Sequence, residues 1–157
     1  MDKKYKIYCD LDGVLTDFDG AYEKLTGKDI RGKHIENSPH FWDPINDAGY
    51  DFWATMDWMD DGKELWNYIK KYNPDILSAP SRQDESRVGK KHWVQRELPG
   101  FHLILRSAKH KKEFAAKNHI LIDDKESNIN DWKENGGIGI LHKSAKDTVE
   151  KLKELGL

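Results

Sequence analysis

The chain has 157 residues, enough for one compact core and too few to suggest a second full domain. Its 26 basic and 28 acidic residues nearly cancel, so although 34 % of the chain is charged, no broad field would draw it onto nucleic acid or a membrane. Cys9 is the only cysteine, which excludes an internal disulfide and a cysteine-rich zinc site and fits a cytoplasmic setting. No apolar run approaches the ~18 residues of a membrane span, and the first residues do not read as a signal peptide.

In chain order, Tyr5 to Cys9 is rich in β-forming residues and stops at Asp10, which predicts a short buried strand delivering an acidic loop. The stretch 18–61 delays the next strand and concentrates Phe18, Phe41, Trp42, Tyr50, Phe52, Trp53 and Trp58, which predicts a small insertion over the end of the first strand. Gly62 to Tyr72 puts Leu65, Trp66 and Ile69 on one helical face. Asp75 to Ala79, Phe101 to Leu105, His119 to Ile122 and Ile138 to Leu141 are further short apolar runs, each separated from the next by a segment with helical spacing. Ser144 to Leu155 opens with a capping serine and aligns Val149, Leu152 and Leu155. This alternation predicts an α/β protein, a parallel sheet covered by helices. No internal repeat interrupts it.

In such a sheet a ligand lies beyond the carboxyl ends of the strands, so the residues after each strand are the informative ones. The first strand runs into Asp10-Leu11-Asp12-Gly13-Val14-Leu15-Thr16-Asp17, the second ends at Ser78, the third precedes Lys109, and the fourth ends at Asp123-Asp124. A calcium loop would need glycine sixth and a ligand fifth, whereas here glycine is fourth and Val14 fifth. A solvated acidic turn is the plainer alternative. Two carboxylates one residue apart at a strand end can instead divide labour, one attacking phosphorus and the other exchanging a proton.

These four segments resemble the four motifs of the haloacid dehalogenase superfamily. More narrowly, Asp10 to Phe18, Ile76 to Pro80, Ile104 to Lys109 and Ile120 to Lys125 are similar to the 5′(3′)-deoxyribonucleotidase branch and related phage or bacterial phosphatases. The resemblance implies a Rossmann-like sheet with a small, mainly helical cap, here 18–61, inserted after the first strand of a single domain, 1–157. It implies Asp10 as the nucleophile and Asp12 as the general acid and base, with the Asp12 backbone carbonyl also a metal ligand. Ser78 and Lys109 would hold phosphate, the turn or cap reading of Ser78 being disfavoured because it closes an apolar strand at the expected place, and Lys111 or Lys112 could replace Lys109; Lys90 and Lys91 offer a less favoured site. Asp124 matches the metal-binding carboxylate, with Asp123 beside it as a ligand or orienting group. Phe18 matches a base-contacting aromatic residue, and Trp42 and Trp53 are further candidates for the substrate wall. At least half of the insertion's aromatic residues should instead form a miniature core.

A dianionic phosphate facing several carboxylates needs a divalent cation, and an all-oxygen donor set without a His/Cys cluster favours Mg2+ over zinc. The expected function is therefore a magnesium-dependent phosphomonoesterase acting on a small phosphorylated substrate, a nucleoside monophosphate first. Sugar phosphates or nucleic-acid 3′-phosphate ends are the alternative within enzymes, and a catalytically silent phosphate- or metal-binding module is the alternative outside them. No stable nucleic-acid complex is expected, and a homodimer is left open.

Overall fold

A computed structural model describes residues 4–157. Five strands, β1 (Lys6–Cys9), β2 (Asp75–Ser78), β3 (Leu103–Leu105), β4 (His119–Asp123) and β5 (Ile138–Leu141), form one sheet in the order β3-β2-β1-β4-β5. Every pairing is parallel. The strands are short apolar runs because both faces of a parallel sheet are covered. Alternate residues accordingly enter two cores: Ile7, Cys9, Ile76, Ile120 and Ile122 on one face, Tyr8, Leu77 and Leu121 on the other, where helical Trp132 packs on them.

The helices are α1 (Phe18–Thr26), α2 (Asp43–Ala48), α3 (Tyr50–Ala54), α4 (Gly62–Ile69), α5 (Asp84–Glu97), α6 (Glu126–Glu134) and α7 (Ala145–Glu154). Ser144 caps α7, its side chain accepting from the Asp147 N–H at 3.1 Å. The predicted helix 62–72 divides into α4 and a 3₁₀ turn at Lys70–Tyr72. Between β3 and β4 the expected helical segment is a 3₁₀ run, Ala108–Phe114, with consequences for the lysines described below. No helix among the described residues is long and apolar enough to cross a membrane.

Between β1 and α4 the chain builds a small layer from α1, α2 and α3. It leaves and returns at adjacent points: the Asp17 N–H donates to the Asp57 carbonyl at 2.9 Å and the Met59 N–H to the Leu15 carbonyl at 2.7 Å. Tyr22, Phe41, Ile45, Phe52, Trp53 and Met56 of this layer are buried in the same core cluster as Ile7 and Ile76, so the aromatic residues fuse it to the sheet. Gly89 lets α5 press against α3, since a Cβ there would lie 2.5 Å from the Trp53 Cβ.

Candidate active site

The strand order sets the site. β1 is central, the chain moves outward on one side through β2 and β3 and on the other through β4 and β5, and this reversal leaves a crevice at the carboxyl edge. Asp10 follows β1, Ser78 ends β2 and Asp123 ends β4, so three neighbouring strands bring these residues to one rim. One carboxylate oxygen from each of Asp10, Asp123 and Asp124 lies within 4.8 Å of the others.

Asp10 is buried, and its Oδ1 accepts from the Lys111 Nζ at 3.0 Å. The same ammonium donates to Asp123 Oδ2 at 2.9 Å, and that oxygen also accepts from the Asn128 amide at 3.0 Å. Asp123 Oδ1 accepts from the Lys125 N–H at 2.9 Å, so both oxygens of this wholly buried carboxylate are oriented by hydrogen bonds from the protein. Burial and the charges of Asp123, Asp124 and Asp12 push the Asp10 carboxyl well above its usual range, against the pull of Lys111. Burial alone would lower the Lys111 pKa, but Asp10 and Asp123 outweigh it and leave it raised.

Asp124 is the open member of the group. Partial desolvation of its carboxyl at the cleft wall, then the Asp123 charge and more weakly that of Asp12, raises its pKa to about 7 against the pull of a backbone hydrogen bond and Lys111. Gly13, at φ +84°, makes room for it, since a Cβ at Gly13 would stand 2.1 Å from Asp124 Oδ2. Excess negative charge at three converging oxygens, one residue of them open to the cleft, fits a divalent cation held by Asp10, Asp123 and Asp124.

The Asp12 side chain stands apart from these three oxygens. Its Oδ1 accepts from the Thr16 hydroxyl at 2.8 Å and its Oδ2 from the Lys90 Nζ at 2.7 Å. Lys90 also donates to Ser78 Oγ at 2.9 Å and lies 5.0 Å from the ring centroid of Trp53. A buried ammonium thus joins the second carboxylate, the end of β2 and the inserted layer.

Two expectations need correction. Lys109 is exposed and stays outside the cluster, while Lys111 enters it; Lys112 is exposed as well. The reason is the tight 3₁₀ winding of 108–114, which buries Lys111 and leaves its neighbours in solvent. Lys90, the less favoured candidate, is a buried partner of Asp12 and Ser78. The spacing Trp53, Gly89, Lys90 and Trp93 carried no signal for this, because the contact depends on how closely α5 packs on α3. Ser78 is buried beneath Lys90, and at this point Ala79 lines the cleft.

A cavity of about 250 Å³ over the carboxylates opens into a second of about 620 Å³. Phe18, Trp42, Glu36, Asp12 and Ala79 border both. Phe18 stacks with Phe41 and meets Phe52 edge-on, with centroids 6.4 and 5.6 Å away. Trp42 is half-buried and its Nε1 donates to the Glu36 carbonyl at 3.1 Å. Trp53 borders the larger cavity but is itself buried and carries Lys90 on its face.

No protein-family model matches the chain. No curated protein matches it either. Among solved structures, a haloacid dehalogenase-superfamily hydrolase from Ehrlichia chaffeensis aligns over 100% of both chains, with TM-score 0.56 and 13% identity. The chain has the fold of a haloacid dehalogenase-superfamily hydrolase. A hydrolase from Streptococcus pneumoniae aligns with TM-score 0.57 and 13% identity over 96% of this chain and 100% of its own. A HAD-family enzyme from Bacteroides thetaiotaomicron, in its magnesium complex, aligns with TM-score 0.52 and 18% identity over 96% and 99%.

Proposed function

We propose that the protein is a magnesium-dependent phosphomonoesterase that uses Asp10 as nucleophile and acts on a small phosphate ester, a nucleoside monophosphate first. The observation that carries the reading is the division of the carboxylates: Asp10 joins Asp123 and Asp124 in a cation-sized group, whereas Asp12 is turned onto Thr16 and Lys90. One set suits phosphate and metal, the other proton transfer.

In this reading an Asp10 oxygen attacks phosphorus as the bond to the leaving oxygen breaks, and Asp12 gives that oxygen its proton. Asp12 then takes a proton from water, whose oxygen attacks the phosphorus of the aspartyl-phosphate and frees Asp10. Lys111 holds the Asp10 carboxylate and is placed to offset charge on the transferring group. Lys90 keeps Asp12 oriented. Magnesium held by Asp10, Asp123 and Asp124 would neutralise charge where phosphate meets the carboxylates. The magnesium complex of the Bacteroides thetaiotaomicron enzyme, which has the same fold, supports that choice of metal.

The nucleotide preference rests on the resemblance of Asp10 to Phe18 and of the later motifs to deoxyribonucleotidases, and on Phe18 and Trp42 bordering a cavity of about 620 Å³. A nucleobase stacked there would gain about 1–3 kcal/mol. Phosphate release measured across nucleoside monophosphates and sugar phosphates, with and without magnesium, tests the reading. Release from nucleotides that needs magnesium is expected; absence of release from every ester would overturn the proposal, and preference for sugar phosphates would overturn its nucleotide part. The buried Cys9 thiol is consistent with a reducing cytoplasmic setting, which belongs to the same proposal.

A further inference from the structure

The cleft is unusually acidic for a place that receives phosphate. Six carboxylates (Asp10, Asp12, Asp19, Glu36, Asp123 and Asp124) and two ammonium groups (Lys111 and Lys125) border the smaller cavity. Four of the carboxylates are accounted for: Lys111 serves Asp10 and Asp123, Lys90 serves Asp12, and Asp124 is the open member of the converging group proposed to hold the cation. Asp19 and Glu36 have no such task. Asp19 is the second residue of α1, and Glu36 lies on the irregular segment between α1 and α2, so both come from the inserted layer and face the carboxyl edge of the sheet.

Glu36 borders both cavities, which makes it a boundary post between the reacting phosphate and the remainder of the substrate. A substrate with its phosphate over the carboxylates and its remainder in the larger cavity would pass this carboxylate. The charge of Arg31 reaches Asp19, but its exposed guanidinium is hydrogen-bonded to Glu23 and Asp29 instead. Burial first and then Asp17 raise the Asp19 carboxyl above its usual range, with Glu36 adding to them, against the pull of Arg31.

We propose that Asp19 and Glu36 are specificity-determining residues that restrict the site to substrates with a single phosphate, rejecting a second anionic group beside the reacting ester. A carboxylate at the junction accepts hydrogen bonds from a hydroxyl or amine next to the ester and repels another phosphate in the same place. Selectivity of this kind comes from a repulsive element set against the wrong ligand. The inference rests on the phosphomonoesterase reading and names the substrate class of that site.

The test compares phosphate release by the full chain, with magnesium, from two matched pairs: a nucleoside 5′-monophosphate against its 3′,5′-bisphosphate, and glucose 1-phosphate against glucose 1,6-bisphosphate. In the unaltered protein kcat/KM for the bisphosphate of the working pair should be lower by roughly tenfold or more, and the gap should narrow with added salt as screening weakens the repulsion. Glu36→Gln and Asp19→Asn keep side-chain size and remove charge; each should raise the bisphosphate-to-monophosphate ratio about threefold, and together roughly tenfold. An unmoved ratio in the double variant, or equal handling of both members by the unaltered protein, would overturn this inference and leave the phosphatase reading standing. Absence of release from all four esters and from a generic aryl phosphate would overturn both.

Discussion

The Lys111 Nζ lies 3.0 Å from Asp10 Oδ1 although the two residues are 101 positions apart. A single buried ammonium also reaches Asp123, and so ties the ends of β1 and β4 together across the crevice. Removing the one ammonium that two buried carboxylates share costs about 3–5 kcal/mol because both charges are left without compensation. Lys111→Met should therefore lower stability and remove at least about 99% of phosphate release, whereas Lys109→Ala should leave both within roughly twofold. Thermal unfolding and phosphate release, measured side by side, check the contrast.

Asp10→Asn should abolish phosphate release, since an amide cannot form the aspartyl-phosphate. Its effect on stability has the opposite direction. The Asp10 carboxyl is raised above its unfolded value by burial and by neighbouring carboxylates. Its stabilising contribution is therefore full below the unfolded pKa and is lost as pH rises through the folded one. Without metal at neutral pH the asparagine variant should unfold at a temperature equal to or above that of the unaltered protein. A lower unfolding temperature would contradict the charge-repulsion account.

Chelation should eliminate phosphate release and added magnesium restore it, with Asp124→Ala raising the magnesium requirement. Asp123→Ala should instead unfold the protein more readily, because Lys111, Asn128 and the Lys125 N–H lose their common acceptor. Asp124 adds a pH signature. With its carboxyl raised to about 7 without metal, magnesium should bind more tightly as pH rises through that value and should release protons on binding. Calorimetry in two buffers of different ionisation enthalpy would show this as a buffer-dependent heat at pH 6 to 7.

Gly13→Ala places a Cβ 2.1 Å from Asp124 Oδ2 at a position whose φ is +84°. The backbone term alone is about 1–2 kcal/mol, and the Asp124 carboxylate must also move. The variant should need several-fold more magnesium for the same rate while Gly27→Ala, where no atom lies within 4 Å, shows only the backbone cost.

Phe18→Ala should raise KM for the best nucleotide by roughly tenfold, the loss of one stacking partner, while the rate on a small alkyl phosphate changes much less. Equal losses on both would mean that the ring serves only its contacts with Phe41 and Phe52.

The sequence alone was enough for the layered α/β architecture, because buried parallel strands must be short apolar runs and amphipathic helices must cover them; β5 matches its predicted limits, and Ser144 caps α7. It was also enough to mark Asp10, Asp12, Ser78, Asp123 and Asp124 as strand-end residues, since each follows or closes an apolar run. What lay beyond it were the relationships made by winding and packing. Lys109, Lys111 and Lys112 are indistinguishable as neighbouring lysines, and only the 3₁₀ path of 108–114 turns Lys111 inward onto Asp10 and Asp123. Lys90 could be read only as a less favoured site lysine, yet Gly89 brings α5 so close to α3 that its ammonium is enclosed between Trp53, Asp12 and Ser78. Local pattern decides which residues reach the edge of the sheet; tertiary packing decides which charges are forced to share the same few ångströms there.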